Sequence, residues 1–124
     1  MCKRLQAQDR LRRTSDFLAV RASGRKIVRR PFIMQVLMST GGGSAEAGLR
    51  LGVIASKRVG GAVKRNRAKR LIRECFRSCR ETLPAPCDLV VVARPAIDRL
   101  SFKELRGHFL EACDTIRKEA DRAR

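Results

Sequence analysis

Apolar and polar residues alternate with different periods along this chain, and the changes of period predict its elements. Strand-forming residues fill the segment from Ile27 to Met38, and every second residue from Leu49 to Ala55 is apolar. The short extended piece near Ile27 is counted as a strand of its own. The continuous apolar run from Leu89 to Ala93 is typical of a strand that is covered on both faces. These segments predict the strands of one sheet.

Three other segments have helical spacing. A short first helix begins at Thr14-Ser15-Asp16, whose side-chain oxygens suit an N-cap. The last helix begins at a capping box formed by Ser101 and Glu104. The central helix follows Gly60-Gly61 and ends before Pro84. It carries one apolar stripe, made of Ala68, Leu71, Ile72, Cys75, Phe76 and Cys79.

The order of these elements, α-β-β-β-α-β-α, predicts an α/β fold, a two-layer α/β sandwich with the helices on one face of the sheet. An antiparallel hairpin between the strand that ends at Met38 and the strand from Leu49 to Ala55 is the simplest pairing. The length of 124 residues suits a single domain, residues 1–124. We expect mobile basic tails at residues 1–13 and from about residue 118 to 124.

The strong positive charge of the chain limits the kinds of partner that it can bind. The formal net charge is +17, from 29 Lys and Arg against 12 Asp and Glu. Such a chain binds nucleic acid or an anionic membrane surface more readily than it binds acidic proteins. The run from Leu89 to Ala93 is far shorter than the ~18 apolar residues of a spanning helix. No apolar core of a signal peptide follows Met1, so we expect no membrane association and a cytoplasmic protein.

The residues for autonomous catalysis or metal binding are not grouped in the sequence. The single histidine, His108, lies on the last helix, far in sequence from the cationic centre, and the acids are scattered. The five cysteines have no zinc-finger spacing, so we interpret Cys75 and Cys79 as small apolar side chains on a helix face. The expected catalytic and metal-ligating residues are therefore none.

The central helix is the strongest candidate for binding. No acid occurs between Glu46 and Glu74, whereas nine cations do: Arg50, Lys57, Arg58, Lys64, Arg65, Arg67, Lys69, Arg70 and Arg73. Opposite the apolar stripe lies a polar stripe of Asn66, Arg70, Arg73, Arg77 and Arg80. A solvated helix face usually mixes signs, so this face is better suited to phosphates. Gly60-Gly61 is either a tight turn or a backbone anion site at the helix N-terminus.

Residues 57–74, KRVGGAVKRNRAKRLIRE, resemble the signature of the bacterial ribonuclease P protein subunit family. The resemblance extends to Arg50-Leu51-Gly52-Val53, to Phe17 and Gly24-Arg25, and to the segment from Asp88 to Arg94, and it covers about residues 10–117. It implies a fold of the ribosomal protein S5 domain 2-like type. It also implies a non-catalytic protein subunit of a ribonucleoprotein endonuclease, which assists a catalytic RNA in removing the 5′ leader from precursor tRNA.

The resemblance assigns roles to particular residues. The catalytic RNA subunit would be bound by Lys64, Arg65, Asn66, Arg67, Lys69, Arg70 and Arg73, which would help to organise Mg²⁺ held mainly by that RNA. The single-stranded leader would lie in a cleft between the sheet and the first helix, against Phe17, Arg21, Phe32, Ser56, Lys57 and Arg58. Family members often carry an aromatic residue where Arg21 stands. No protein partner is expected. The alternative, from composition alone, is a structural RNA-binding protein such as a ribosomal protein.

Overall fold

The structure, a computed structural model, describes residues 18–21, 25–38, 49–83 and 87–122. Residues 18–21 are helical and are labelled α1. The other elements are β1 (Arg25–Val28), β2 (Phe32–Met38), β3 (Leu49–Ile54), α2 (Ala62–Cys79), β4 (Cys87–Ala93) and α3 (Phe102–Arg122). Short 3₁₀ helices occupy Arg80–Thr82 and Pro95–Arg99. The predicted element order and the α/β fold class are confirmed.

The two predicted tails lie largely outside the described residues. Residues 1–13 and residues 123–124 are not described, so their mobility stays a prediction. The backbone of α3 continues to Arg122, which makes residues 118–122 of the predicted C-terminal tail helical.

The four strands form one sheet in the order β1-β2-β4-β3. β4 runs antiparallel to β2, with Gln35 opposite Val90, and parallel to β3, with Gly52 opposite Val90. The predicted hairpin between β2 and β3 is therefore wrong. β4 separates them because it is apolar on both faces, and a central position buries both of its faces while an edge position would expose one.

The main hydrophobic core lies between one face of the sheet and the two long helices. Phe32, Met34 and Val36 of β2 and Leu89 and Val91 of β4 face it. The helices contribute buried residues of the predicted stripe of α2 and, from α3, Leu105, Phe109, Ala112, Cys113 and Ile116. α2 and α3 are therefore held on this face by apolar burial, as expected for a layered α/β domain.

The opposite face of the sheet has its own small apolar cluster. Val20 of α1 and Val90 of β4 are both fully buried, and Leu37, Ile54 and Val92 pack around them. The prediction that all the helices lie on one face is therefore wrong. The alternating residues of the central strand β4 are apolar on this face too, and α1 covers part of the surface that they would otherwise expose.

The start of α3 follows its predicted capping box. The backbone N–H of Glu104 donates to Ser101 Oγ at 3.2 Å, and the backbone N–H of Ser101 donates to Glu104 Oε1 at 3.3 Å. These bonds satisfy N–H groups that have no partner inside the helix. Leu100 and Leu105 on either side of the cap are both buried, as a hydrophobic staple requires.

Candidate nucleic-acid interface

α2 separates its side chains into a buried face and a charged face. Ala68, Ile72, Cys75, Phe76 and Cys79 are buried, as the apolar stripe predicts, and Leu71 is partly buried. All the residues predicted to bind the RNA subunit lie on this one helix. Lys64, Asn66, Arg67 and Arg70 are exposed, whereas Arg65, Lys69 and Arg73 are half-buried. The helix therefore brings the predicted set together.

The turn before α2 fixes where this charged face begins. The backbone N–H of Val59 donates to the Ser56 carbonyl and that of Gly60 to the Lys57 carbonyl, each at 3.1 Å. Gly60 has a φ of +143°, and a Cβ at this position would lie 2.6 Å from Lys64 Cδ. The backbone conformation therefore requires glycine, and a larger residue would also displace the flexible Lys64 side chain.

Gly61 occupies the N-cap position of α2, because its carbonyl accepts the backbone N–H of Arg65 at 3.0 Å. A glycine supplies no side-chain oxygen to the first turn, and that turn contains no acid. The first N–H groups of α2 therefore gain no cap from the Gly61 side chain or from an acid of the first turn, and such groups favour a bound anion.

One carboxylate approaches this face from another part of the chain. Asp98, in the 3₁₀ helix after β4, lies 3.3 Å from Lys64 Nζ through Oδ2 and 3.6 Å from Arg67 Nη1 through Oδ1. The sequence did not predict this contact, because nothing in the local pattern shows that the segment after β4 returns to the start of α2. Asp98 partly neutralises the two cations that it contacts.

The C-terminal end of the predicted polar stripe carries a cation that is paired within the helix. Arg77 pairs with Glu74 one turn earlier, and its side chain is only 22% exposed. The side chain of Arg80 is not among those described. The Nε atom of Arg65, near the start of the helix, is buried with no hydrogen-bond partner in the described part of the chain. Five of the six cations predicted to bind the RNA subunit therefore lie in the first half of α2, where Asp98 pairs with two of them.

The residues predicted to line a leader cleft divide into three groups. Ser56, Lys57 and Arg58 are exposed in the turn after β3, where the Arg58 backbone N–H donates to Ser56 Oγ at 3.3 Å. Arg21 is exposed on α1, the helix that packs on the sheet face opposite α2. Phe17 lies outside the described residues. The leader site stays a prediction.

Phe32 does not belong to such a cleft. Its side chain is 0% exposed and lies in the main core, on the sheet face covered by α2 and α3. Its ring meets that of Phe109 edge to face, with 5.8 Å between the centroids and 60° between the planes. The leader role predicted for Phe32 is therefore wrong: position 32 has the register of the core face, so its ring is inaccessible to RNA.

The sheet face beside α1 carries polar groups that the sequence did not single out. Arg50 of β3 and Asp88 of β4 are register partners and form a two-pronged ion pair, with Nε–Oδ1 at 2.8 Å and Nη2–Oδ2 at 2.7 Å. Gln35 of β2 is only 9% exposed, and its Oε1 has no hydrogen-bond partner in the described structure. Parallel pairing of β3 with β4 creates the ion pair, and that pairing could not be read from the sequence.

The cysteines are buried in the core, as the sequence interpretation predicted for Cys75 and Cys79. Cys75, Cys79, Cys87 and Cys113 are buried free thiols, and Cys2 is not described. Burial, and secondarily the neighbouring Cys79, raises the pKa of the Cys75 thiol to about 12, and burial raises that of Cys87 to about 12. These thiols are therefore poor nucleophiles and poor metal ligands. No group of three His, Cys, Asp or Glu side chains with metal-binding geometry occurs among residues 18–21, 25–38, 49–83 and 87–122.

None of the helices in the described ranges is long and apolar enough to cross a membrane.

Comparison with known proteins then decides the family. Residues 5–117 match the family model described as Ribonuclease P. The chain belongs to the ribonuclease P protein family. The resemblance seen in residues 57–74 is confirmed. This protein is accordingly the protein subunit of a ribonucleoprotein endoribonuclease that processes the 5′ end of precursor tRNA, with an RNA subunit as its partner.

Individual relatives agree with the family model. The ribonuclease P protein component of Shouchella clausii is 41% identical over 103 residues, which cover 83% of this chain and 81% of the relative. That of Desulforapulum autotrophicum is 40% identical over 98 residues, covering 79% and 80%. The structure of the RNase P protein from Thermotoga maritima superposes with a TM-score of 0.73 at 27% identity, covering 86% of this chain and 96% of that one. The Staphylococcus aureus RNase P protein gives 0.72 at 28%, covering 87% and 94%. A ribosomal protein, the alternative from composition, is thereby set aside.

Proposed function

We propose that this subunit uses two surfaces on opposite sides of its sheet. The charged face of α2, made of Lys64, Arg65, Asn66, Arg67, Lys69, Arg70 and Arg73, binds the catalytic RNA subunit. The sheet face beside α1, with Arg21, Ser56, Lys57 and Arg58, takes the single-stranded leader of precursor tRNA. Phe17 belongs to this second set by its position in the family signature. The observation that carries the proposal is the concentration of cations in the first half of a helix whose apolar stripe is buried in the core.

The chemistry of bond cleavage is assigned to the RNA. Hydrolysis assisted by metal ions needs clustered carboxylates when a protein holds the ions, whereas Asp88 and Asp98 each lie in an ion pair with basic side chains. We therefore assign Mg²⁺ mainly to the RNA subunit, with α2 reducing the repulsion between the phosphates that surround it. We also assign the complex to the cytoplasm and require no further protein partner.

The first experiment tests the face of α2. Arg70 and Arg73 are replaced together by Gln, and Lys103 and Arg117, two exposed cations of α3, are replaced by Gln as the charge-matched control. The α2 variant should bind the RNA subunit more weakly and lower the slope of log affinity against log salt by about 2, one unit for each lost phosphate contact. It should also need more Mg²⁺ to support processing of precursor tRNA. Equal effects of the two double variants would refute a specific role for α2.

The second experiment tests the leader surface. Lys57→Gln in the assembled holoenzyme should weaken the binding of precursor tRNA while leaving mature tRNA, which has no leader, unchanged. Melting curves of the free variant check that the turn still folds. If both substrates lose affinity equally, Lys57 acts through the RNA subunit and the leader assignment fails.

A further inference from the structure

The cations of β1 and of the turn that follows it form two groups, one paired with acids of α3 and one exposed. Arg25 Nε lies 2.6 Å from Glu119 Oε2, and Arg29 Nη2 lies 2.5 Å from Glu111 Oε2. Four residues of strand and eight residues of helix both span about 12–13 Å, so the two pairs fit one strand lying along α3. These two arginines are used to dock β1 against α3.

The other two cations of this segment are placed differently. Lys26 and Arg30 are exposed, and no ion pair within the described residues reaches either side chain. Lys26 is the register partner of Gln35, and Val28 is the register partner of Ile33. Both therefore belong to the sheet face beside α1, opposite the face that Ile27 and Met34 share. Val28 is 57% exposed.

Register places Val28 at the end of an apolar row that crosses the whole sheet. Val28, Ile33, Val92 and Ile54 are successive partners on β1, β2, β4 and β3. Ile33, Val92 and Ile54 are half-buried, and Val92 and Ile54 pack against the cluster that contains Val20 of α1, so only their exposed parts are open to RNA. The row spans three strand spacings, about 14 Å. Ser56, Lys57 and Arg58 follow directly after its Ile54 end, while Lys26 and Arg30 flank its Val28 end. The row thus has cations at both ends.

We propose that the β1 edge, made of Lys26, Val28 and Arg30, is a second contact for the precursor leader. It lies at the edge of the sheet opposite β3, the strand that leads to Lys57. This inference rests on the proposed leader surface. Single-stranded RNA suits such a path, because its bases and riboses can lie on apolar side chains while its phosphates meet cations. The turn that holds Lys57 leads directly into α2, the helix proposed to bind the catalytic RNA. The leader nucleotides nearest the cleavage site are therefore assigned to the Lys57 end, and the nucleotides further upstream to β1.

The test uses the holoenzyme and precursor tRNAs whose leaders differ only in length. Lys26→Gln and Arg30→Gln are combined, with the Lys103→Gln and Arg117→Gln double variant as the charge-matched control. For a long leader, the β1 variant should lose roughly 2- to 30-fold in affinity, the range for two exposed charge contacts. Its salt slope should fall by about 1.4, since each phosphate bound by single-stranded nucleic acid contributes about 0.7. A leader too short to cross the sheet and mature tRNA should show no difference from the unaltered holoenzyme.

Three results would overturn the inference. One is an equal loss for long leaders, short leaders and mature tRNA, which would mean that β1 contacts the RNA subunit or acts by net charge alone. Another is an equal loss in the control variant. The third is unchanged RNA binding together with self-association of the β1 variant in sedimentation, which would mean that Lys26 only guards an edge strand against pairing. If the unaltered holoenzyme does not prefer precursor over mature tRNA, the proposed leader surface itself is refuted. If the preference is present but the β1 variant behaves like the control, only the second contact at β1 is refuted.

Discussion

Phe32 gives the sharpest test of the two-sided arrangement, because the family resemblance implies a place in the leader cleft whereas the structure places its side chain in the core. The side chain is fully buried against Phe109. Replacing it by Leu removes the edge-to-face ring contact, worth about 0.5–1.5 kcal/mol, and leaves part of its volume unfilled. Together these effects should lower the free energy of unfolding by about 1–3 kcal/mol, compared with about 3–5 kcal/mol for Phe32→Ala.

The measurement has two parts. Urea unfolding of the free protein gives the change in stability, and a double-mutant cycle with Phe109→Leu isolates the ring contact. In the assembled holoenzyme, Phe32→Leu should keep the unaltered preference for precursor over mature tRNA, because no RNA atom reaches a ring beneath the sheet. A variant of unaltered stability that loses this preference would refute the core assignment and return Phe32 to the leader surface.

Other features of the structure make further predictions. Asp98→Asn frees Lys64 and Arg67 and should tighten binding to non-cognate RNA by roughly 2- to 5-fold, since exposed ion pairs are weak; Asp114→Asn, which breaks a pair with Lys118 on α3, is the control, and equal effects would argue against a local cause. Burial raises the pKa of the Cys75 and Cys87 thiols from 9.0 to about 12, so the stability that they contribute is present below about pH 9 and is lost as the pH rises towards 12. Urea midpoints measured across that range should fall less steeply when both are replaced by Ala. Sulfate should raise the melting temperature more than chloride does at equal ionic strength, because it binds the folded cationic face; equal effects would indicate screening alone.

The sequence was sufficient for the elements whose signals are local. The apolar stripe of α2 and the capping box of Ser101 and Glu104 are set by the periodicity and chemistry of a single segment, and both occur as predicted. The cations of α2 share one helix, so their common placement follows once the helix is correct. The family signature covers the same helix, which is why this interface was the most predictable part of the site.

Features that depend on strand register were not predictable in this way. The order β1-β2-β4-β3 depends on which strand occupies the centre of the sheet. The apolar run of β4 indicates that it is buried on both faces, but it does not determine which strands pair with it. The same register decides which face each side chain occupies, because successive residues of a strand point to opposite sides. Phe32 was therefore misassigned, and the pairing of Arg50 with Asp88 was missed.

The excess of positive charge acquires a structural explanation from the positions of the acids. Asp88 pairs across two strands, Asp98 joins the segment after β4 to α2, and Glu111 and Glu119 dock the β1 region on α3. Each of these acids holds two elements together and neutralises a cation at the junction. Arg70 of α2 and Lys26 and Arg30 of the β1 edge are exposed cations that lie at no such junction in the described part of the chain. The net charge of +17 is therefore a poor measure of RNA affinity, since the placement of a few acids determines which cations RNA can reach.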